Sequence, residues 1–293
     1  MDIAFSFVVP AYNEENYIGA CLESILKEAA GRNDVEVIVA DNSSNDHTDG
    51  VVAKYPGVKL VRESKRGANA TRQAGFLASR GALVAFIDAD TIMPPGWLKK
   101  VEAEFARDPK LVCVSGPFIY YDLPMHIRML VRIFYYLDYG IYLFGKTFFG
   151  ISTTIQGGNY TVRRDAFQKI GGQNVNITFY GDDTDNAIRL SKVGRVKFTL
   201  SIPILTSGRR LAAEGAWMMG FRYALNNFWM LIFRRPWTMS SKEIRFGKEG
   251  TLYQPERKDR EALIATIFFV FVLIAITAII IAIYLAARAI AKL

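Results

Sequence analysis

Residues 83–97 read LVAFIDADTIMPPGW, and the fold turns on how this stretch is parsed. Leu83 to Ile87 form an apolar run bounded by turn residues, the pattern of a strand buried on both faces. Asp88 and Asp90 follow at once. A carboxylate carried to the end of a core strand is costly unless a cation or a hydrogen-bond donor meets it. The pair therefore asks for a partner.

Working outward, the preceding residues alternate short apolar runs with helical patterns. Strands are expected at 3–9, 35–40, 58–62 and 83–87, and helices at 15–27, 46–55 and 67–79. Such a series folds into an α/β domain with a doubly wound, mostly parallel sheet. Ligands of these sheets sit beyond the carboxyl ends of the strands. The loops there read PAYNEEN, DNSSNDHT, ESKRGANATR and DADTIMPPGW; all are polar and all four carry acids.

No GxGxxG follows the first strand and no GxxxxGK[ST] occurs, so a nucleotide would be held by other means. Tyr12 offers a flat face for a base, Asp41 can accept from ring N–H or ribose hydroxyls, and Arg66 and Arg72 can meet phosphate. If the chain stays extended past Ile87, Asp88 and Asp90 point to the same side and can face one divalent cation or a ribose hydroxyl. Hard oxygen ligands select Mg2+ or Mn2+, completed by substrate phosphate oxygens.

Further on, GGNYTVRRDAFQKIGG predicts a glycine-rich turn, a strand and a helix. YGDDTDNAIRLSKVG then places Asp182, Asp183 and Asp185 at a helix start, where the dipole favours acids. Capping accounts for one or two of them. Asp183, aimed from a rigid element into the crevice, is a candidate general base.

At 293 residues the chain can bury a sizeable core. Its mean hydropathy of +0.14 points to a part that meets lipid. Ala262 to Ala287 run 26 residues without a charge, about 39 Å as a helix against roughly 30 Å of hydrocarbon. A transmembrane helix is expected there. Lys242, Arg245, Lys248, Arg257, Lys258 and Arg260 precede it, against Arg288 and Lys292 beyond, which predicts a single-pass protein with its larger part cytoplasmic. MDIAFSFVVP lacks a basic start and does not read as a signal peptide.

The net charge of +8 is spread along the chain, without the dense basic helix of a nucleic-acid binder, and fits proximity to a membrane. Cys21 and Cys113 lack metal-type spacing and are expected as reduced core residues. His47 and His126 are too few and too far apart for a metal cluster. Met129 to Gly150 and Ala216 to Met239 are rich in aromatics and interrupted by Arg. That composition suits helices lying in a membrane interface, where a lipid acceptor would be at hand.

VVPAYNEE, VIVADNSSNDHT, ANATRQAG, LVAFIDAD, GGNYTVRRDAF and DDTDNAIRL together resemble the family 2 glycosyltransferases of GT-A fold, in order and approximate spacing. The resemblance covers about residues 3–211. It implies inverting transfer of one sugar from a nucleotide-diphosphate sugar, with Tyr12 and Glu14 as nucleotide contacts, together with Pro10 and Ala11, and Asp41 reading the base. It also implies Asp88 at ribose or metal, Ala89 beside it, Asp90 on the metal, Gly158 and Asn159 along the same crevice, and Asp183 as base. The acid before the base is usually Glu in the family and is Asp182 here.

Arg209 and Arg210 in TSGRRL stand where a cationic pair would steady the leaving diphosphate. Processive synthases of the family carry Gln-x-x-Arg-Trp, which this sequence lacks, so a single transfer is expected. The expected organisation is a GT-A domain over 1–211, a membrane-interface helical segment and linker over 212–261, and a transmembrane helix over 262–287. A silent, membrane-anchored nucleotide-sugar binding or scaffold protein is the competing reading. It would keep Tyr12 and Asp41 but have no need of Asp90 and Asp183.

Overall fold

The computed structural model describes residues 3–149, 154–177 and 181–214, with positions 219, 222, 226, 229, 233, 235 and 237. The predicted series is present as β1 (Phe5–Ala11), α1 (Ile18–Glu28), β2 (Val35–Asp41), α2 (Thr48–Val52), β3 (Val58–Arg62), α3 (Ala68–Ala78) and β4 (Leu83–Ile87). Several boundaries differ from expectation by one to three residues, two of them for a clear local reason. β1 continues through Pro10 because its register with β2 runs on to Ala11 opposite Asp41. α1 starts at Ile18 because residues 14–17 close a turn first, Tyr17 N–H donating to Glu14 O at 3.0 Å.

The chain continues as β5 (Thr91–Ile92), α4 (Trp97–Arg107), β6 (Leu111–Ser115), β7 (Phe118–Tyr120) and the long α5 (Met125–Phe149). After it come β8 (Asn159–Arg163), α6 (Arg164–Lys169), α7 (Asp182–Leu190), β9 (Arg195–Phe198), β10 (Ile204–Thr206) and α8 (Arg209–Glu214). Seven strands form one sheet in the order β3-β2-β1-β4-β8-β6-β9. β8 alone runs antiparallel to its neighbours, so the sheet is mostly parallel as expected.

Alternation along the strands sends side chains to two cores. Phe7, Val9, Val39 and Ile87 meet Ile18, Leu22 and Ile25 of α1 and Trp97 and Val101 of α4 on one face. Val8, Phe86 and Val162 meet Phe76 of α3, Phe167 of α6 and Leu190 of α7 on the other. Each large apolar side chain so buried contributes roughly 1.5–3 kcal/mol before entropy is counted. Cys21 and Cys113 are buried and unpaired, as predicted.

A second, three-stranded sheet, β5-β10-β7, sits at the carboxyl end of β4. Its register sets Thr206 opposite Thr91, so the chain leaving β10 passes beside the Asp88–Asp90 turn. That small sheet is what brings α8 to the crevice.

No described helix is long and apolar enough to cross a membrane. The predicted span 262–287, the linker before it and most of 216–239 lie outside the described residues. α5 makes 129–149 helical, continuous with 125–128.

Candidate functional site

Four loops converge where β1, β2, β3 and β4 end. The first two are zipped together: Asn13 N–H donates to Ser44 Oγ, Glu14 N–H to Thr48 Oγ1 and Glu15 N–H to Asp46 Oδ2, at 2.9, 2.9 and 3.1 Å. Asn13 and Ser43 take left-handed backbone angles, φ 53° and 57°, to make these turns. Asn42, which the sequence did not single out, donates to the carbonyls of Glu63 and Lys65 and accepts Gly67 N–H. It fixes the third loop against the second.

Within this frame Tyr12 is buried, and the Arg66 guanidinium lies 3.8 Å from its ring centroid and bonds its hydroxyl. Asp41, at the end of β2, is buried and accepts both the N–H and the hydroxyl of Ser44. Tyr12, Asp41 and Arg66 thus stand together at the far side of the crevice from the later acids. Pro10 and Ala11 end β1 and Ala89 lies between the two acids, Ala11 and Ala89 being buried.

The Asp88–Asp90 pair departs from expectation. The chain does not stay extended after Ile87: it turns, with Thr91 N–H and Oγ1 both donating to Asp88 O at 3.2 and 2.6 Å. The two carboxylates are consequently drawn to different arginines. Asp88 Oδ1 accepts Arg72 Nη2 at 2.9 Å, whereas Asp90 Oδ2 lies 3.1 Å from Arg209. Thr206 Oγ1 donates to the other oxygen of Asp90 at 3.3 Å.

Arg72 does not face open phosphate space. It is 7% exposed, and its Nη1 reaches Asp182 Oδ2 at 3.2 Å. One guanidinium therefore ties the end of β4 to the start of α7. Burial lowers its pKa and the charges of Asp88 and Asp182 raise it, the charges prevailing.

α7 begins at Asp182 because Gly181 supplies the φ of 88° that ends the preceding turn, and acids fill the first turn. Of the three, Asp185 turns along its own helix to Arg189 at 2.6 Å, leaving Asp182 and Asp183 for the crevice. Asp183 lies against Gly157, whose N–H bonds its carboxylate. Asp88 lies against Gly158. A Cβ at either glycine would overlap those carboxyl groups, so the pair brings both acids to the same stretch of backbone. Asn159 serves the framework instead, its amide donating to the carbonyls of Pro117 and Ile202 at 3.4 and 2.9 Å.

Arg209 opens α8 and chelates Glu14, Nη2 lying 2.6 and 2.7 Å from its two oxygens. Arg210 follows it, half-buried, in the same helix. Five carboxylates thus gather here, Glu14, Asp88, Asp90, Asp182 and Asp183, with Arg72 and Arg209 placed among them. Burial first, and then the excess of acid, raises the affinity of these groups for protons. Burial, offset in part by Arg209 and reinforced by Glu14, pushes Asp90 up to about 7. Burial and the charge of Asp182 push Asp183 well above the carboxylate range.

A divalent cation fits this donor set. Glu14 and Asp90 already converge on one cationic nitrogen, and hard carboxylate oxygens are what Mg2+ or Mn2+ takes. Among the described residues no three acids, histidines or cysteines form a ready-made metal cage. Substrate oxygens would have to complete the shell.

The family model for glycosyl transferase family 2 matches residues 6–171. The chain belongs to that family. Among curated relatives, the glycosyltransferase AglE of Haloferax volcanii is 30% identical over 100 residues, 32% of this chain and 33% of that one. The poly(ribitol-phosphate) beta-N-acetylglucosaminyltransferase TarS of Staphylococcus aureus is 32% identical over 120 residues, 38% of this chain and 21% of that one. These alignments span a third or less of the relatives' length. In structure, the mannosyltransferase PcManGT from Pyrobaculum calidifontis, solved with GDP-Man and Mn2+, superposes with TM-score 0.61 at 18% identity. The superposition covers 80% of this chain and 65% of that one, and shows a shared fold.

Proposed function

We propose that this family 2 protein is a metal-dependent, inverting glycosyltransferase that moves one sugar from a nucleotide-diphosphate sugar to a lipid or lipid-linked acceptor at the cytoplasmic membrane face. The observation that carries the reading is the meeting of Asp183 with the Asp88–Asp90 turn across the Gly157–Gly158 backbone. A base and a diphosphate-side acid group are thereby held by rigid elements on one crevice. Tyr12, Asp41 and Arg66 take the nucleoside, and Asp90, beside Glu14, would hold Mg2+ or Mn2+ with substrate oxygens completing the shell, Asp88 being engaged by Arg72. When bound, the cation offsets charge that grows on the departing diphosphate. The Mn2+ in PcManGT supports the assignment by likeness of fold.

In the reaction an acceptor oxygen forms the new bond to the anomeric carbon while the carbon–oxygen bond to the diphosphate breaks and the electron pair leaves with it. Asp183 receives the acceptor proton, which its raised affinity for protons favours. Arg209 and Arg210, at the start of α8, would meet the leaving diphosphate.

The membrane part of the reading draws on α5. Met125, Met129, Ile133, Tyr136 and Leu143 are all exposed and share one side of this helix, while Ile127, Tyr135 and Tyr142 face inward, the two tyrosines reaching Phe198. Arg132 is exposed beside the apolar stripe, as an interfacial helix requires. The uncharged run 262–287 would supply the anchor.

The test is incubation of the full-length protein with a panel of nucleotide sugars and Mn2+, with and without polyprenyl phosphate or glycerolipid vesicles. Release of one nucleotide, stimulated by lipid, is expected. Release without lipid stimulation would remove the acceptor assignment, and release from no sugar would remove the enzyme.

A further inference from the structure

We propose that Arg209 is the resident counter-cation of the donor metal site, displaced from Asp90 when a divalent cation and a nucleoside diphosphate enter together. The inference rests on the donor-site reading above and assigns Arg209 a role before the diphosphate arrives. Its Nη2 lies 2.6 Å from one oxygen of Glu14 and 3.1 Å from Asp90 Oδ2, so two carboxylates from the loops after the neighbouring strands β1 and β4 share a single cationic nitrogen. A divalent ion bound to Asp90 would occupy the same space. Two cations cannot sit a few ångström apart in a partly buried site without strong repulsion, so occupancy is exclusive.

Arg209 is equipped to leave, and Arg72 is not. The Arg209 side chain is 22% exposed, against 8% for Arg72. Its guanidinium carbon also rests 4.4 Å from the Tyr17 ring centroid, a second partner for a displaced guanidinium. Arg209 is the first residue of the six-residue α8, which follows directly from β10. Exchange at Asp90 therefore loosens the hold of the crevice on α8.

The arrangement predicts an order. A metal ion alone must displace Arg209 with no return, whereas a metal–nucleotide complex brings diphosphate oxygens that can receive the freed guanidinium. The substrate-free site resists bare metal while keeping its acids in place.

Mn2+ binding to the full-length protein, followed by the electron paramagnetic resonance signal of free Mn2+ in the absence of nucleotide, tests this. Arg209→Gln should bind Mn2+ about tenfold or more tightly than the wild type, because a competing charge is gone. Arg209→Lys, which keeps the charge, should stay close to the wild type. Equal or weaker Mn2+ binding by Arg209→Gln, or equal tightening in both variants, overturns the proposal.

If circular dichroism shows Arg209→Gln unfolded, hydrogen exchange of the wild type decides. Mn2+ with UDP or GDP should speed exchange across 210–214 and leave α1 unchanged; bound nucleotide with unchanged exchange there overturns the proposal. A wild type that takes neither Mn2+–UDP nor Mn2+–GDP would instead fell the donor reading itself, and this inference with it.

Discussion

Two arginines hold the acids of this site, and they hold them differently. Arg72 lies beneath the crevice, paired with Asp88 and Asp182, and its Nε is buried with no hydrogen-bond partner. Arg209 lies at the rim, paired with Glu14 and Asp90, on a short helix outside the main sheet. The first joins two elements of the rigid core, β4 and α7, and nothing a substrate brings can replace it there. The second joins elements whose acids a metal could hold equally well. A guanidinium inside the scaffold works as a rivet, and one at its edge works as an exchangeable ion.

The contrast breaks if Arg72 proves dispensable. Arg72→Met should destabilise the fold by about 3–5 kcal/mol, the usual cost of stranding a buried acid, nearer the lower figure because Asp88 is partly hydrated. Urea unfolding of variant and wild type measures it. Arg72→Lys should recover only part, since a point charge cannot span both carboxylates. A Met variant as stable as the wild type would make Arg72 as exchangeable as Arg209.

The next largest effect concerns chemistry without structure. Asp183→Asn should leave fold and nucleotide affinity intact and lower turnover by about 10²-fold or more, the scale of a lost general base. Near-normal turnover would place the base elsewhere, or mean an acceptor that is already ionised.

Titration sharpens the same point. Asp183 holds its proton to higher pH in the folded protein than in the unfolded chain, because of burial and Asp182. Folded protein then binds the extra proton between the ordinary carboxylate range, about pH 4, and its raised value, so its contribution to stability is present below this window and lost as pH rises through it. Turnover needs the ionised form and should climb over the same window. Thermal melts and initial rates should therefore move in opposite directions with pH. In Asp183→Asn both slopes should become shallower, the remainder belonging to Asp90 and Asp182, which are also raised by burial.

Much of the frame was legible in the sequence because it is local. Strand and helix periods, the two Asp pairs and the glycine turn each declare themselves within about ten residues. What joins them does not. Arg72 and Asp182 are 110 residues apart, and Arg209 and Glu14 are 195 apart, so their pairing is a property of the packed sheet. Arg72 reads as a phosphate ligand because Arg commonly is one; only the packing of α3 against β1 and β2 turns it to acids. The turn at Asp88–Asp90 is local but carries no glycine or proline to mark it; the Thr91 hydroxyl and N–H close it onto Asp88 O. Asn42 and Asn159 look like polar loop residues and serve as cross-loop ties. No period or spacing marks such a tie.

The smallest effect tests whether two acids in one helical turn really differ. Asp185 is two residues beyond Asp183, shares the favourable end of the α7 dipole, and on composition alone is as good a catalytic candidate. Its carboxylate is instead engaged at 2.6 Å by Arg189, which also donates to Asn186 and to the carbonyls of Ile170 and Gly172. Asp185→Asn removes one ion pair on the helix surface and leaves Arg189 its other partners. The loss should be about 0.5 kcal/mol, the size of an i,i+4 pair, with turnover within about twofold of the wild type. Urea unfolding and initial rates, run beside Asp183→Asn, check it. If Asp185→Asn loses turnover as steeply as Asp183→Asn, the Gly157 contact does not mark the base, and the two acids would have to be assigned afresh.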